Sequence, residues 1–421
     1  MSNYYLILEP TVFINIQGDE ILFYHSESGN KLYFNDGLIT KIIIRNRENH
    51  LHVFPIESSE LNQPNIQKFF QDIEYASMGS LEPINRIPIQ FAPSLKIQQH
   101  PAFDKKEKNN KDNSHTDEYF AYVLNLKILS VYLNDSSTEK PLLAKNISHQ
   151  VLSNIYDNTC TEIEFKKLSE IIDKLLFLKT LYKLNLLGGN ILSYSYLDEL
   201  LDYLRPYSSS SDICFYLNLE DIKNNVHQLN KVLQLENIST IFCLSATNVK
   251  NNINDILQYI PEEKLEINCL VEKPTDIDAF DTVFSNQSIK HTLYPIYNGK
   301  NDDLFKENIF ITQSDIDSTF LDMNQVFKNQ TLNSFYFGHL IILPNGNVHT
   351  NLNTKKVGNL FQDTLAKIVY KSLHNKTSDW FLLRSKIAPC NQCIYNFLCP
   401  PPSNYEFVLN RNNLCHIFVE K

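Results

Sequence analysis

From about Tyr119 to Ile296 short apolar runs alternate with amphipathic stretches, and that rhythm limits the fold more than any other feature of the chain. The strand-like runs are Leu126–Leu133, Lys183–Leu187, Ile213–Leu217, Ser239–Leu244, Leu265–Val271 and His291–Ile296. Helical patterns lie between them. Phe165, Leu168, Ile171, Ile172 and Leu175 fall on one face behind a Thr161-Glu162-Ile163-Glu164 capping box. Tyr196–Leu204, Leu219–Leu233, Val249–Tyr259 and Asp276–Phe284 follow. Most strand starts recur every ~26–30 residues, the length of one strand–helix unit with the right-handed crossover that parallel strands need. The expectation is an α/β fold, six units forming an open or partial (β/α)6 barrel. A closed barrel would need two more units, and no stretch supplies them.

At 421 residues the chain has room for two or three cores. Residues 1–95 read as a small α+β domain. Tyr4–Leu8, Thr11–Ile16, Glu20–Tyr24 and Lys31–Phe34 are β-rich and broken by Gly18-Asp19 and Ser28-Gly29-Asn30, while Leu38–Ile44 and the spacing of Ile66, Phe69, Phe70 and Ile73 are helical. Residues 96–118 are a linker, since Asp104–Asp117 is charged and Asn-rich. Residues 119–312 hold the strand–helix units, and 313–421 an extension. In the extension Gly338–Leu343 and Val348–Asn351 flank Pro344-Asn345-Gly346-Asn347, a strong hairpin signal that would set His339 against His349. Helical stretches at Phe361–Leu373 and Trp380–Ser385 follow, with Trp380 as a core anchor and Arg384, one turn on, as its surface partner. A net charge of −10 and the lack of a Lys/Arg stripe argue against nucleic acid. The first residues lack the basic and apolar regions of a secretory signal. The longest apolar run, Tyr122–Leu133, is too short for a bilayer. The expectation is a cytoplasmic protein that does not use a membrane.

The strongest chemical signal is in CNQCIYNFLCPPPSNYEFVLNRNNLC, where Cys390, Cys393, Cys399 and Cys415 gather in a short span. A C-x-x-C turn aims two thiolates at one centre, and later thiolates complete a soft-metal site. In a reducing compartment metal is favoured over disulfides. Spacing alone leaves both a structural zinc and an iron–sulfur cluster open. Ile394, Tyr395, Phe397 and Leu398 would keep water away, and Pro400, Pro401 and Pro402 would stiffen the exit. His416 reads as a neighbour of the site rather than a ligand. His50 and His52 read as a solvated strand face, and Cys160, Cys214, Cys243 and Cys269 as scattered core thiols. No G-x-S-x-G, Walker or G-x-G-x-x-G pattern gives hydrolytic or nucleotide-driven chemistry a seat.

Strand–helix units followed by this cysteine pattern resemble, over roughly Leu126–Cys415, the radical SAM enzymes with a C-terminal SPASM extension that modify ribosomally made peptides. Cys390, Cys393 and Cys399 match the first three cysteines of that extension's central motif, and Cys415 matches its last. Ser403 stands at the fourth, and Tyr336 or Phe337 and then Asn351 stand at the earlier pair. The resemblance therefore implies one auxiliary 4Fe-4S cluster on the four retained thiols and the loss of a second. The family's cysteine triad after the first strand is missing, since the loop Asn134–Thr161 holds only Cys160. Gly188-Gly189-Asn190 stands at the family's Gly-Gly-Glu, without the carboxylate that holds the amino group of S-adenosylmethionine. No catalytic S-adenosylmethionine is expected. The run Cys399-Pro400-Pro401-Pro402-Ser403-Asn404-Tyr405-Glu406, then Asn413-Leu414-Cys415, is similar to the pseudo-radical-SAM proteins of Bacteroidetes peptide-maturation systems. That resemblance implies a non-catalytic partner of an active radical SAM peptide maturase, acting on a ribosomally made precursor peptide. The N-terminal domain is similar to leader-recognition domains, with Lys31, Leu32, Tyr33 and Phe34 as the edge that takes an extended leader. A plain cap on the barrel is the alternative. An electron-relay subunit and a zinc-stabilised adaptor are the other functions left open.

Overall fold

Val, Ile, Phe and Tyr concentrate in runs too short for helices, and those runs pair into three sheets. The computed structural model describes residues 4–47, 52–83, 120–135, 147–154, 161–177, 181, 183–209, 211–285 and 287–417. The charged segment 104–117, His50 and Cys160 lie outside the described residues. In the N-terminal domain the strands are β1 (Tyr4–Leu8), β2 (Val12–Gln17), β3 (Glu20–His25), β4 (Lys31–Asn35), β5 (Val53–Ile56) and β6 (Gly79–Pro83). They form two antiparallel sheets, ordered β5-β1-β6 and β2-β3-β4. The helices Gly37–Arg47 and Pro64–Tyr75 bury Ile39, Ile42, Ile43, Ile66, Phe69 and Phe70 against Leu6, Leu8, Phe23 and Phe54, a core of the domain's own. Neither β5 nor β6 is visible in the sequence. One carries Pro55, the other begins at Gly79, and both become strands by pairing with β1.

The central strands are β7 (Ile128–Tyr132), β8 (Lys183–Leu187), β9 (Asp212–Tyr216), β10 (Ile238–Ser245), β11 (Leu265–Val271) and β12 (Lys290–Pro295), parallel neighbours in chain order. The hairpin of the extension continues the same sheet. Its first arm, β13 (His339–Ile342), lies parallel to β7, and β14 (Asn347–His349) and β15 (Gly358–Asn359) follow antiparallel. The result is a mixed α/β protein built on a nine-stranded, mostly parallel sheet. Along each strand alternate side chains face opposite ways. Leu129, Val131, Leu184, Leu186, Ile213 and Phe215 belong to a core with Leu168, Ile172, Leu200, Leu229, Ile253 and Phe280 from the helices. The expected helix Leu219–Leu233 is two, Leu219–Asn224 and Val226–Leu233. Asn225 between them leaves helical geometry, and its side chain donates to the Asp221 carbonyl at 2.8 Å.

The other face of the sheet is also covered. Tyr132, Leu187, Tyr216 and Ile341 pack with Leu152, Leu343 and Leu352, and Val151 packs with Leu270 and Ile296. Part of the cover is thus residues 147–154, from the loop that follows β7 itself. Below it His339 Nε2 lies 2.8 Å from Ser130 Oγ, which accepts from Asn185 Nδ2 at 3.0 Å. His339 does not face His349, because Ile341 takes that place in the register. Burial lowers the His339 pKa to about 4. The unfolded value is about 6.5, so the neutral ring stabilises the fold above that pH, and the stabilisation is lost as pH falls from about 6.5 towards 4. His339→Gln should flatten this dependence: urea unfolding of the wild type should weaken between pH 7 and 4.5 by up to about 3 kcal/mol more than that of the variant.

Candidate metal centre

Cys390 begins a 3-10 turn, Cys390–Gln392, closed by the Cys393 amide donating to the Cys390 carbonyl at 3.0 Å. Beyond Cys399 the three prolines lead to the helix Asn404–Val408, capped by Ser403, which accepts from the Tyr405 amide at 3.2 Å. Cys415 is fixed from outside. It forms a parallel bridge with Ile311, whose amide donates to the Leu414 carbonyl and whose carbonyl accepts from the His416 amide, each at 2.9 Å. Together these constraints bring Cys390, Cys393, Cys399 and Cys415 onto one small, partly open cavity, lined also by Arg384, Asn396 and Asn413. Among the described residues no group of three or more His, Cys, Asp or Glu side chains is gathered tightly enough to hold a metal ion as it stands.

Burial pushes the thiol pKa of Cys390 up, that of Cys393 to about 11 and that of Cys399 to about 12, with the Arg384 charge opposing the rise at Cys390 and Cys399. Filling the site with a soft metal would therefore expel protons. Arg384 is buried, not the surface partner its spacing from Trp380 implies. Those residues lie on two separate 3-10 turns, Asp379–Phe381 and Arg384–Lys386, with Leu382 and Leu383 extended between them, so both point inward. Its Nε donates to the Pro400 carbonyl at 2.8 Å and Nη1 to the Asn412 carbonyl at 3.3 Å, while Nη2 pairs with Glu406. The other Glu406 oxygen accepts from the Ser403 amide and hydroxyl, each at 2.8 Å. Asn413 Nδ2 donates to Cys415 Sγ at 3.4 Å. His416 turns away, its Nε2 2.8 Å from the Lys306 carbonyl. The sequence gives neither Arg384 nor Asn413 a place at the thiol site, although Ser403-x-x-Glu406 is a legible capping box. Ile394, Phe397 and Leu398 shield the loop by packing on the N-terminal residues Phe13, Leu22 and Tyr24.

Gly188-Gly189-Asn190 follows β8, at the end of the parallel strands where small ligands bind in α/β sheets. Here the chain's own residues fill that place. The Gly189 amide donates to Asn134 Oδ1 at 3.1 Å, and the Gly188 amide to Asn154 Oδ1 at 3.3 Å. A Cβ on Gly188 would stand 2.5 Å from Asn134 Oδ1, so Gly188 makes room for Asn134. Asn154 Nδ2 donates to the Tyr216 carbonyl at 3.2 Å, and Tyr132 Oη to the Ser153 carbonyl at 2.7 Å. Gln150 and the Tyr297 backbone exchange bonds of 2.9 and 2.7 Å. Asn190 Oδ1 is buried with no partner among the described residues.

Of the edge residues, Tyr33 is exposed and donates to Glu20 Oε1 at 2.5 Å, whereas Phe34 turns inward onto Phe69. Leu32 is half-buried, and Lys31 Nζ donates to the Thr319 carbonyl at 2.6 Å. β4 pairs with β3 alone, so its outer edge faces no strand among the described residues. No helix among the described residues is long and apolar enough to cross a membrane. No protein-family model matches the chain, and no curated protein matches it.

Removing the Arg384 charge strands a buried carboxylate. Arg384→Met should cost about 3–5 kcal/mol, and Glu406→Gln, which keeps an acceptor, should cost less. Urea unfolding followed through Trp380, the single tryptophan, measures both.

Proposed function

We propose that this chain is a non-catalytic accessory protein of a radical SAM peptide-maturation system. In this reading a degenerate partial (β/α)6 barrel bears a SPASM-like extension with one 4Fe-4S cluster on Cys390, Cys393, Cys399 and Cys415. The protein holds a precursor peptide, with Lys31–Phe34 as the peptide-binding edge, and docks the active maturase. The observation that carries the reading is the meeting of these four thiols at one cavity. The resemblance assigns these thiols a multi-iron core, and a single zinc is the alternative. Zinc, at about 2.3 Å from each sulfur, needs all four within about 4 Å of one another. When bound, the cluster would supply a one-electron centre and a rigid cross-link between loops.

A second observation supports the same reading. Tyr336, Asn351 and Ser403, which stand where the resemblance calls for the cysteines of a further cluster, gather around Asn404. Tyr336 Oη donates to Asn404 Oδ1 at 2.9 Å, and Asn353 Nδ2 bridges Asn351 Oδ1 at 3.0 Å to Asn404 Oδ1 at 3.4 Å. Ser403 is the residue before Asn404. Where the resemblance calls for a further cluster, this chain carries a hydrogen-bonded polar set. The contents of the strand ends favour a non-catalytic role. Asn134 and Asn154 take up the amides of Gly189 and Gly188, and Asn190 offers no charge for the amino group that the family's carboxylate holds.

The Asn413 donor on Cys415 favours one other reading, an electron-relay subunit, since hydrogen bonds to sulfur tune a cluster's potential. A zinc-stabilised adaptor is the third. Anaerobically purified protein should contain about four iron and four sulfide per chain, lost in Cys393→Ala. It should neither bind S-adenosylmethionine nor cleave it to 5′-deoxyadenosine. Stoichiometric zinc without sulfide would establish the adaptor, and cleavage by the chain alone would end the accessory reading. Full turnover by the maturase with folded, precursor-binding Cys393→Ala would exclude the relay.

A further inference from the structure

The loop that carries the first three thiols is also the surface on which the N-terminal domain rests. β2 and β3 turn Val12, Ile21 and Phe23 into their own domain, and their alternate residues Phe13, Leu22 and Tyr24 onto the extension. Phe13 meets Phe327 edge-on at 5.3 Å, and Tyr24 meets Phe397 at 6.3 Å. Tyr24 Oη both donates to the Leu321 carbonyl, at 2.7 Å, and accepts from its amide, at 2.6 Å. Asn15, on the same side of β2 as Phe13, reaches the metal loop directly. Its Nδ2 donates to the Ile394 carbonyl at 2.7 Å, to Asn396 Oδ1 at 3.3 Å and, more weakly, to the Cys393 carbonyl at 3.5 Å. The Ile16 amide donates to Asn15 Oδ1 at 3.1 Å and fixes which way the amide points. Gln17 Nε2 adds a bond to the Asn391 carbonyl at 3.3 Å.

We infer that the metal loop is a clasp. Filling the thiol site locks the β2-β3-β4 sheet onto the extension, with Asn15 as the positioning residue that joins the two. This rests on the metal reading and goes beyond it. Ile394, Phe397 and Leu398 lie between Cys393 and Cys399, so a metal that ties Cys390, Cys393 and Cys399 together restricts the backbone that presents them. Without that cross-link the same residues must be ordered at the expense of chain entropy. Linkage makes the effect reciprocal. Whatever free energy the docked sheet adds to metal binding, the metal returns to docking. The edge offered by β4 is then held in a fixed relation to the central sheet only when the site is filled.

Hydrogen–deuterium exchange on the whole chain tests this, comparing metal-loaded protein with protein stripped by chelator under anaerobic conditions. Stripping should speed exchange in 12–35 and 311–327 by about tenfold or more, and leave β8–β11 unchanged. Asn15→Ala should lose metal to chelator about tenfold faster, the size expected of a group that orients ligands from outside the first layer. The half-buried Gln17→Ala, which loses a single long bond, should do so more mildly. Stoichiometric metal with unchanged exchange in 12–35 after stripping would overturn the clasp and leave the metal reading standing. Protein that purifies without metal would overturn both. Should stripping unfold the whole chain, loaded Asn15→Ala decides: exchange in 12–35 rises at full metal content, or the clasp fails.

Discussion

A buried guanidinium holds the thiol site together. Arg384 bonds to the Pro400 carbonyl, one residue past Cys399, and to the Asn412 carbonyl, three residues before Cys415. It thereby draws the two arms of the extension to a common point before any metal is considered. Its charge is met by Glu406, and Glu406 is held in turn by Ser403 at the start of the helix Asn404–Val408. A buried pair of this kind adds little net stability because desolvation offsets the attraction, but it fixes one arrangement over others. That is what a site built from separated loops requires.

The same four-residue string reaches further than the thiols. Asn404 Nδ2 donates to the Gln150 carbonyl at 3.1 Å, and Tyr405 Oη to the Pro295 carbonyl at 2.9 Å. Ser403, Asn404, Tyr405 and Glu406 thus connect the thiol loop to the segment over the sheet and to the end of β12. A parallel sheet is stable only with both faces covered. Helices cover one face, and residues 147–154 with Leu343 and Leu352 cover the other. Here side chains close it, and the amides that could cradle a ligand at Gly188 and Gly189 are spent on Asn154 and Asn134.

The strand–helix units were legible because burial on both faces writes an unbroken apolar run. Lys183–Leu187 and Leu265–Val271 match β8 and β11 to the residue. Elements made by pairing rather than pattern, such as β5 and β6, were not. The break at Asn225 is hidden because the apolar period carries through it, and a local side-chain bond decides the geometry. Arg384 was misread for a related reason. A spacing of four from Trp380 means one helical face only if the segment is one helix, and extended Leu382 and Leu383 cancel that. The thiols were legible from spacing. The contact of Asn15 with their loop could not be, since 379 positions of sequence separate it from Ile394 and no local pattern encodes so distant a partner.

That contact bears on what a metal at the thiol site would be for. A redox centre needs a donor or acceptor within reach, whereas a structural centre needs only loops worth restraining. The loops here carry the floor of the N-terminal sheet, and the edge strand β4 belongs to that sheet. A peptide strand added at β4 gains affinity from main-chain bonds that are indifferent to the domain's orientation. Its delivery to a second protein is not indifferent, because a partner docked on the central sheet meets the peptide only if the two sheets keep a fixed relation. Asn15, Phe13 and Tyr24 impose that relation through the thiol loop, so under the proposed reading the metal acts on geometry, and its effect on turnover is exerted through where the peptide is held.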